Sequence, residues 1–182
     1  MLSDLRLAGL GLLLAGSPVA CRPAGRAAPA VGAPAQESPA AITAWARRVD
    51  RAAARLSSIT FDLPSSSTEG GTLVAHLQSD TLRRLEATFF GETGRAIERY
   101  YVTGNVLHLS VRLDERYDRP LSGRVVARAA DSVWFVGETA IRWVDSLGRR
   151  SAADSPATRT HGTEARRAFH AVLGLTSQGY RR

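Results

Sequence analysis

From Thr72 to Val144 the apolar residues of this chain recur with a period of two, and that alternation most restricts what it can fold into. Leu73, Ala75 and Leu77 alternate with Val74, His76 and Gln78 before a turn at Ser79-Asp80. Leu85, Ala87 and Phe89 alternate again up to Gly91-Glu92-Thr93-Gly94, a hairpin connection with glycine at both ends. Ile97 to Thr103 and Val106 to Leu113 read as two strands across the two-residue turn Gly104-Asn105. In the second of them Leu107, Leu109, Val111 and Leu113 are expected on one buried face. Val125 to Ala129, Val133 to Val136 and Ile141 to Val144 continue the series, with Asp131-Ser132 and Gly137-Glu138 between them. Seven short strands joined by tight connections predict an antiparallel meander.

Helical spacing flanks this region. Ser38-Pro39 combines a capping side chain with proline at the first helical position. Ile42, Trp45, Val49, Ala52, Ala53, Leu56 and Ile59 then recur at intervals of three and four, which places them on one stripe for core packing. Pro64-Ser65-Ser66-Ser67 breaks that pattern. At the other end Thr163 is a candidate cap for a short helix to about Leu173, with Phe169, Val172 and Leu173 apolar and Gly174 near its end. The expected class is therefore α+β: an N-terminal amphipathic helix packed on a meander of about seven strands, with a short C-terminal helix. Tyr100 to Leu107 and Trp134 to Ile141 echo one another, each with an aromatic pair, a polar turn and an aliphatic residue. The echo resembles the aromatic-plus-glycine hairpins of bacterial hairpin-repeat proteins, and it occurs twice. The domain as a whole is similar in style to bacterial secreted proteins with a helix laid on such a sheet, a resemblance that carries no chemistry.

The first 21 residues are of another kind. Arg6 provides a short basic start, Leu7 to Ala15 is an apolar run, and Gly16-Ser17-Pro18-Val19-Ala20 leads into Cys21, the sole cysteine. A run this short cannot span a bilayer, which needs ~20 apolar residues; it fits the apolar region of a cleaved export signal. Pro18-Val19-Ala20-Cys21 resembles the lipobox of bacterial lipoproteins, with Val19, Ala20 and Cys21 matching and Pro18 standing where the family carries an aliphatic residue. The resemblance implies cleavage behind Ala20, a diacylglycerol on the Cys21 thiol and an acylated amine. It also implies a chain anchored in the cell envelope through Cys21, with Arg22, rather than an aspartate, permitting transfer to the outer membrane facing the periplasm. Ordinary secretion or a soluble periplasmic form, with Cys21 a spare thiol, is the alternative. Residues 1–20 are thus a signal and 21–38 a lipidated cysteine with an Ala/Pro-rich tether, about 50 Å at full polyproline extension. Residues 39–177 form one globular domain and 178–182 a basic tail.

Signal and tether aside, about 140 residues remain, enough for one domain with a core. All 24 basic residues are arginine, and the formal net charge is +7. The arginines are scattered, with no basic stripe interleaved with aromatics, so nucleic acid is not an expected partner. Acidic surfaces such as anionic headgroups or polyanionic glycans are the partners that such a charge favours.

The sequence makes no case for catalysis. His76, His108, His161 and His170 show no two-ligand spacing, so neither a metal nor a cofactor is expected. His76 and His108 fall on the polar sides of their strands. No phosphate loop and no nucleophile elbow is present. The acidic run Asp114-Glu115-Arg116-Tyr117-Asp118 is interleaved with arginine, as in a solvated loop.

The aromatics carry the binding expectation. If Leu85, Ala87 and Phe89 face the core, Phe90 points away, and one residue of each pair Tyr100/Tyr101 and Trp134/Phe135 does likewise. Phe90, Tyr100, Tyr101 and Trp134 are the candidate binding residues for an envelope protein, glycan or lipid, unless the C-terminal segment covers them. A non-enzymatic tethered lipoprotein binding through its sheet is the leading expectation. A small periplasmic hydrolase or metal-dependent enzyme, using His76 and His108 with carboxylates, and a periplasmic inhibitor or antidote module, using an acidic loop at Asp114 to Asp118, are the alternatives. Intact mass of the protein extracted from its host's membranes is expected to give a chain that begins at Cys21 and carries acyl groups; a chain recovered from the cytoplasm and beginning at Met1 overturns anchor and tether together.

Overall fold

Ser38 and Pro39 start the first helix as their chemistry requires. The Ser38 hydroxyl accepts from the Ala41 N–H (3.3 Å) and its carbonyl from the Ile42 N–H (2.9 Å). The computed structural model describes residues 31–63, 67 and 69–179, so the signal, Cys21 and the final arginines lie outside the described residues. Helix α1 spans Pro39–Ala52 and buries Ile42, Trp45, Ala46, Val49 and Ala52. It is shorter than the stripe predicted. A tight turn at Ala53–Arg55 ends it, and strand β1 (Ser57–Asp62) follows. Ile59 and Phe61, apart from the helix, pair with Ala75 and Leu73. Backbone pairing with the next strand takes over from helical spacing there.

The sheet continues as β2 (Gly71–Gln78), β3 (Thr81–Gly91), β4 (Gly94–Thr103), β5 (Val106–Tyr117), β6 (Val125–Val136), β7 (Thr139–Val144) and β8 (Arg150–Ala152). Each strand pairs antiparallel with the next in chain order, so the eight described strands form a single meander. Two differences from expectation concern the strands. β6 runs straight through Asp131-Ser132, whose polar side chains are accommodated within the ladder, and β8 is a three-residue addition at the edge. The turn at Ser79-Asp80 has φ of 46° and 62°, the left-handed pair that matches hairpin twist.

Both faces of the sheet are covered. Helix α1 lies on one, over Tyr101, Leu109, Val111, Trp134 and Ile141. Helix α2 (Pro156–Gly179) lies on the other, its Phe169 and Val172 joining a core of Leu73, Leu85, Tyr100, Val102, Leu107 and Phe135. This helix is longer than predicted because its cap is Ser155, whose hydroxyl accepts from the Thr158 N–H (3.0 Å), followed by Pro156. Leu107 and Leu109 do not share a face. The register shifts between Tyr101 and Val102, so His108 is the extra residue of a bulge and the strand rotates there. The segment expected as tether up to Ser38 is docked from Val31 onward. Val31 is buried, its N–H donates to the Gln78 side-chain carbonyl (2.9 Å), and the Trp45 indole donates to the Gly32 carbonyl.

Where the helices end, charge pairs take over. Glu115 on β5 faces Arg95 on β4 and Arg128 on β6 in register. Its carboxylate accepts from both, at 2.6 and 2.8 Å, and is buried. The Arg128 hydrogen bond, against the cost of desolvation and with Arg95 adding to it, holds the Glu115 carboxyl below its ordinary pKa. A depressed carboxylate contributes stability above its unfolded pKa of about 4.3 and loses it as pH falls through the folded value. Breaking a buried pair costs ~3–5 kcal/mol, but both arginines are well exposed, so about 1–2 kcal/mol is expected. Glu115→Gln should lose that much stability near neutral pH and converge with the parent in acid, as measured by urea denaturation across pH.

Candidate functional site

On the α2 face the strands present polar residues at every second position, and their registers align them in rows. Glu98 on β4, Arg112 on β5 and Asp131 on β6 lie opposite one another. One step along, Tyr100, Ser110, Val133 and Trp143 form a second row across four strands. Helix α2 roofs both rows with His161, Glu164, Ala165 and Ala168, at the intervals of three and four that share a helix face. The space between is a cavity of about 180 Å³.

The distance from helix to sheet is set by Gly162. A Cβ there would overlap the Cβ of Ala140 on β7. The His161 ring stacks on Trp143, with centroids 4.1 Å apart, and its Nδ1 lies 3.1 Å from Glu164.

The polar groups divide into two sets. Glu98 is fully engaged: one oxygen accepts from Arg112 (2.9 Å) and the other from the Tyr100 hydroxyl (2.5 Å). Arg112 also donates to Asp114, and that hydrogen bond, ahead of the attraction of Glu98, raises its pKa against desolvation. Burial and then the Glu98 charge push the Tyr100 phenol well above its ordinary pKa, so it remains a donor. The second set has no hydrogen-bond or ion-pair partner among the described residues. It comprises the half-buried Asp131 carboxylate, the hydroxyl of Ser110, whose residue is 8% exposed, and the buried indole N–H of Trp143.

Of the aromatics singled out in the sequence, Tyr100 alone reaches this cavity. Tyr101 points to the other face, where its hydroxyl donates to Asp50 of α1 at 3.0 Å. Burial and then the Asp50 charge raise its pKa. Trp134 also faces α1 and donates to the Thr43 hydroxyl (2.9 Å). Phe90 sits half-buried beside the β3–β4 hairpin turn, opposite Arg95. Tyr100 and Tyr101 are 1% and 4% exposed, so the outward aromatics form no open row among the described residues, and cover, the alternative the sequence left open, is what the fold shows. The helices that cover the sheet are the reason, together with alternation, which sends the two tyrosines to opposite sides. Cys21 lies outside the described residues.

The histidines separate as well. His76 on β2 and His108 on β5 are three strand spacings apart, about 14 Å, too far to share an ion. His76 meets Arg84 at 2.9 Å; desolvation first and the Arg84 charge second lower its pKa. His108 meets Trp45 edge-on at 5.2 Å, and burial lowers its pKa. Among the described residues no three His, Cys, Asp or Glu gather as metal ligands would. The acidic run expected as a loop continues β5 as far as Tyr117, with Asp118 bonded to Ser122.

Comparison with family models, curated proteins and solved structures gives no match. Function has therefore to be argued from the site itself.

Asp131, Ser110 and Trp143 escaped the sequence reading because Asp131-Ser132 looks like a turn. The spacing Glu98-x-Tyr100 and Ser110-x-Arg112 was the signal available. Gly162 supplies the check on the roof. Alanine normally stabilises a helix by ~1 kcal/mol over glycine, whereas overlap in a packed layer costs ~1–3 kcal/mol. Gly162→Ala is therefore expected to lower the melting temperature rather than raise it.

Proposed function

We propose that this chain is a membrane-tethered binding protein, non-enzymatic in role, whose sheet and second helix hold one sugar unit of an envelope glycan. The unpartnered trio of Asp131, Ser110 and Trp143 is the observation that carries this reading. A buried polar group without a partner costs ~1–3 kcal/mol. Of the three, that cost falls on the Trp143 indole, whose N–H is sealed from solvent; a ligand bearing several hydroxyls would accept from it while donating to the more open Asp131 carboxylate and exchanging with the Ser110 hydroxyl. Val133, Ala165 and Ala168 supply an apolar wall for the carbon skeleton. The cavity of about 180 Å³ lies below the roughly 300–1,000 Å³ of sites for drug-sized ligands. Its size therefore favours a single ring over an oligosaccharide.

Binding is favoured over hydrolysis by the engagement of Glu98. Both of its oxygens are held by Tyr100 and Arg112, leaving neither to move a proton. The enzyme alternative built on His76 and His108 has no shared concavity, and the inhibitor alternative has no protruding acidic loop among the described residues.

Titration with neutral, acidic and amino monosaccharides, followed by tryptophan fluorescence, is expected to give saturable binding. Asp131→Ala should weaken it about tenfold or more, the loss of one hydrogen bond to a charged group. Ser132→Ala, on the opposite side of the strand, should leave it unchanged. A flat titration for every sugar overturns the reading, and release of a cleaved product would replace it with the hydrolase.

A further inference from the structure

A second concavity lies on the other side of the sheet, between the first half of α1 and the edge strands β7 and β8. It is an open trough of about 590 Å³. Three arginines converge on it from three elements: Arg47 from α1, Arg142 from β7 and Arg150 from β8. None of them has an ion pair or hydrogen bond among the described residues, and no carboxylate lines the trough. Several other arginines are paired across strands or to helices, as Arg84, Arg95, Arg99, Arg112 and Arg128 are; what sets these three apart is that they converge on one concavity. The nearby Asp145 does not compensate the three, because Arg149 and the backbone occupy its carboxylate.

One wall of the trough is rigid. Trp134 is fixed by its hydrogen bond to Thr43 (2.9 Å), and Val144 lies beside it. The other end is formed by Pro39 and Ala40, the first residues of α1, where the helix dipole adds positive potential. A guanidinium cluster of this kind matches the charge and the paired oxygens of a phosphate group.

We propose that the trough binds the phosphate of an anionic phospholipid headgroup, seating this face of the domain on the membrane. The source of the phosphate follows from where the chain enters. Val31 is docked beside α1, and the ten steps from Cys21 to Val31 reach at most ~35 Å. An anchor at Cys21 would therefore keep Val31 within that distance of a bilayer surface, and the domain that carries the trough close to it. This choice of source rests on the anchor reading; the site itself does not, and neither depends on the sugar cavity.

The test uses the chain from residue 21 with Cys21→Ser, which keeps every described residue and removes the acyl chains. Sedimentation with phosphatidylcholine vesicles, with and without phosphatidylglycerol, measures the interaction. Each arginine near an anionic surface contributes about fivefold. The triple variant Arg47→Gln, Arg142→Gln, Arg150→Gln is therefore expected to lose roughly a hundredfold in binding to the anionic vesicles. The exposed pair Arg47→Gln and Arg150→Gln alone should lose about 25-fold, which keeps the test valid if the half-buried Arg142 disturbs folding. A charge-matched control, Arg116→Gln, Arg119→Gln, Arg167→Gln, should lose little. Equal losses in trough and control variants would make the attraction a property of net charge and overturn the site. Absence of binding to anionic vesicles would overturn it too. Competition by inorganic phosphate at concentrations that leave the ionic strength unchanged would overturn the lipid source in favour of a soluble phosphate. Intact mass at Cys21 reports separately on the anchor, and the monosaccharide titration on the cavity.

Discussion

Two adjacent tyrosines on the central strand β4 determine how this molecule is layered. Successive side chains of a strand point to opposite faces, so Tyr100 and Tyr101 cannot serve the same core. Tyr101 goes under α1 and gives its hydroxyl to Asp50 in the last turn of that helix. Tyr100 goes under α2, its ring tilted against Phe169 at 5.6 Å and its hydroxyl on Glu98. Each tyrosine buries a large apolar body and satisfies its polar tip, which is the condition for a phenol to stand in a core. The two helices are thus keyed to one backbone position, and the sheet becomes a shared middle layer with a hydrophobic cluster on each side.

Bulges adjust what alternation alone would impose. Strict period two along β5 would put Leu107 and Leu109 in the same cluster. The extra residue at His108 instead sends Leu107 to the α2 side with Val102, and Leu109 to the α1 side with Tyr101. A comparable shift between Trp134 and Phe135 leaves Ile141 facing α1 while Ala140 joins the α2 core. Ser110 and Arg112 stand in the unshifted part of the register, opposite Tyr100 and Glu98 on one side and Val133 and Asp131 on the other, under α2. The candidate cavity is therefore a product of regular alternation, bounded by the bulges on one side.

Much of this architecture was legible in the residues, and the parts that were not share a physical cause. Strands and hairpins from Gly71 to Val144 could be read because alternation and turn chemistry agree there. Helix α1 could be read because its cap, its proline and its stripe coincide. Its end could not: Leu56 and Ile59 continue the helical spacing, yet pairing with β2 draws Ile59 into a strand, and long-range contacts outweigh a local period. The start of α2 was available in Ser155-Pro156, the same pair of residue types as Ser38-Pro39, but Thr163 is also a capping residue and local chemistry does not rank the two. The cavity was the least legible feature. Asp131-Ser132 has the composition of a turn, and only the register of β5 against β6 shows that it continues a strand and turns Asp131 toward α2.

The distribution of unsatisfied groups ties the two concavities to one orientation. Beneath α2 the unpartnered groups are a carboxylate, a hydroxyl and an indole N–H, a set suited to an uncharged, hydroxyl-bearing ligand. Beside α1 they are three guanidinium groups with no carboxylate among them, a set suited to an anion. The sheet lies between, so the two sites cannot compete for one ligand and cannot face the same surface. A trough held against anionic headgroups would leave the α2 cavity on the far side of the sheet, directed away from the bilayer. Glycan strands would be reached from that side. On these two proposals the charge asymmetry would give the fold a membrane side and a ligand side.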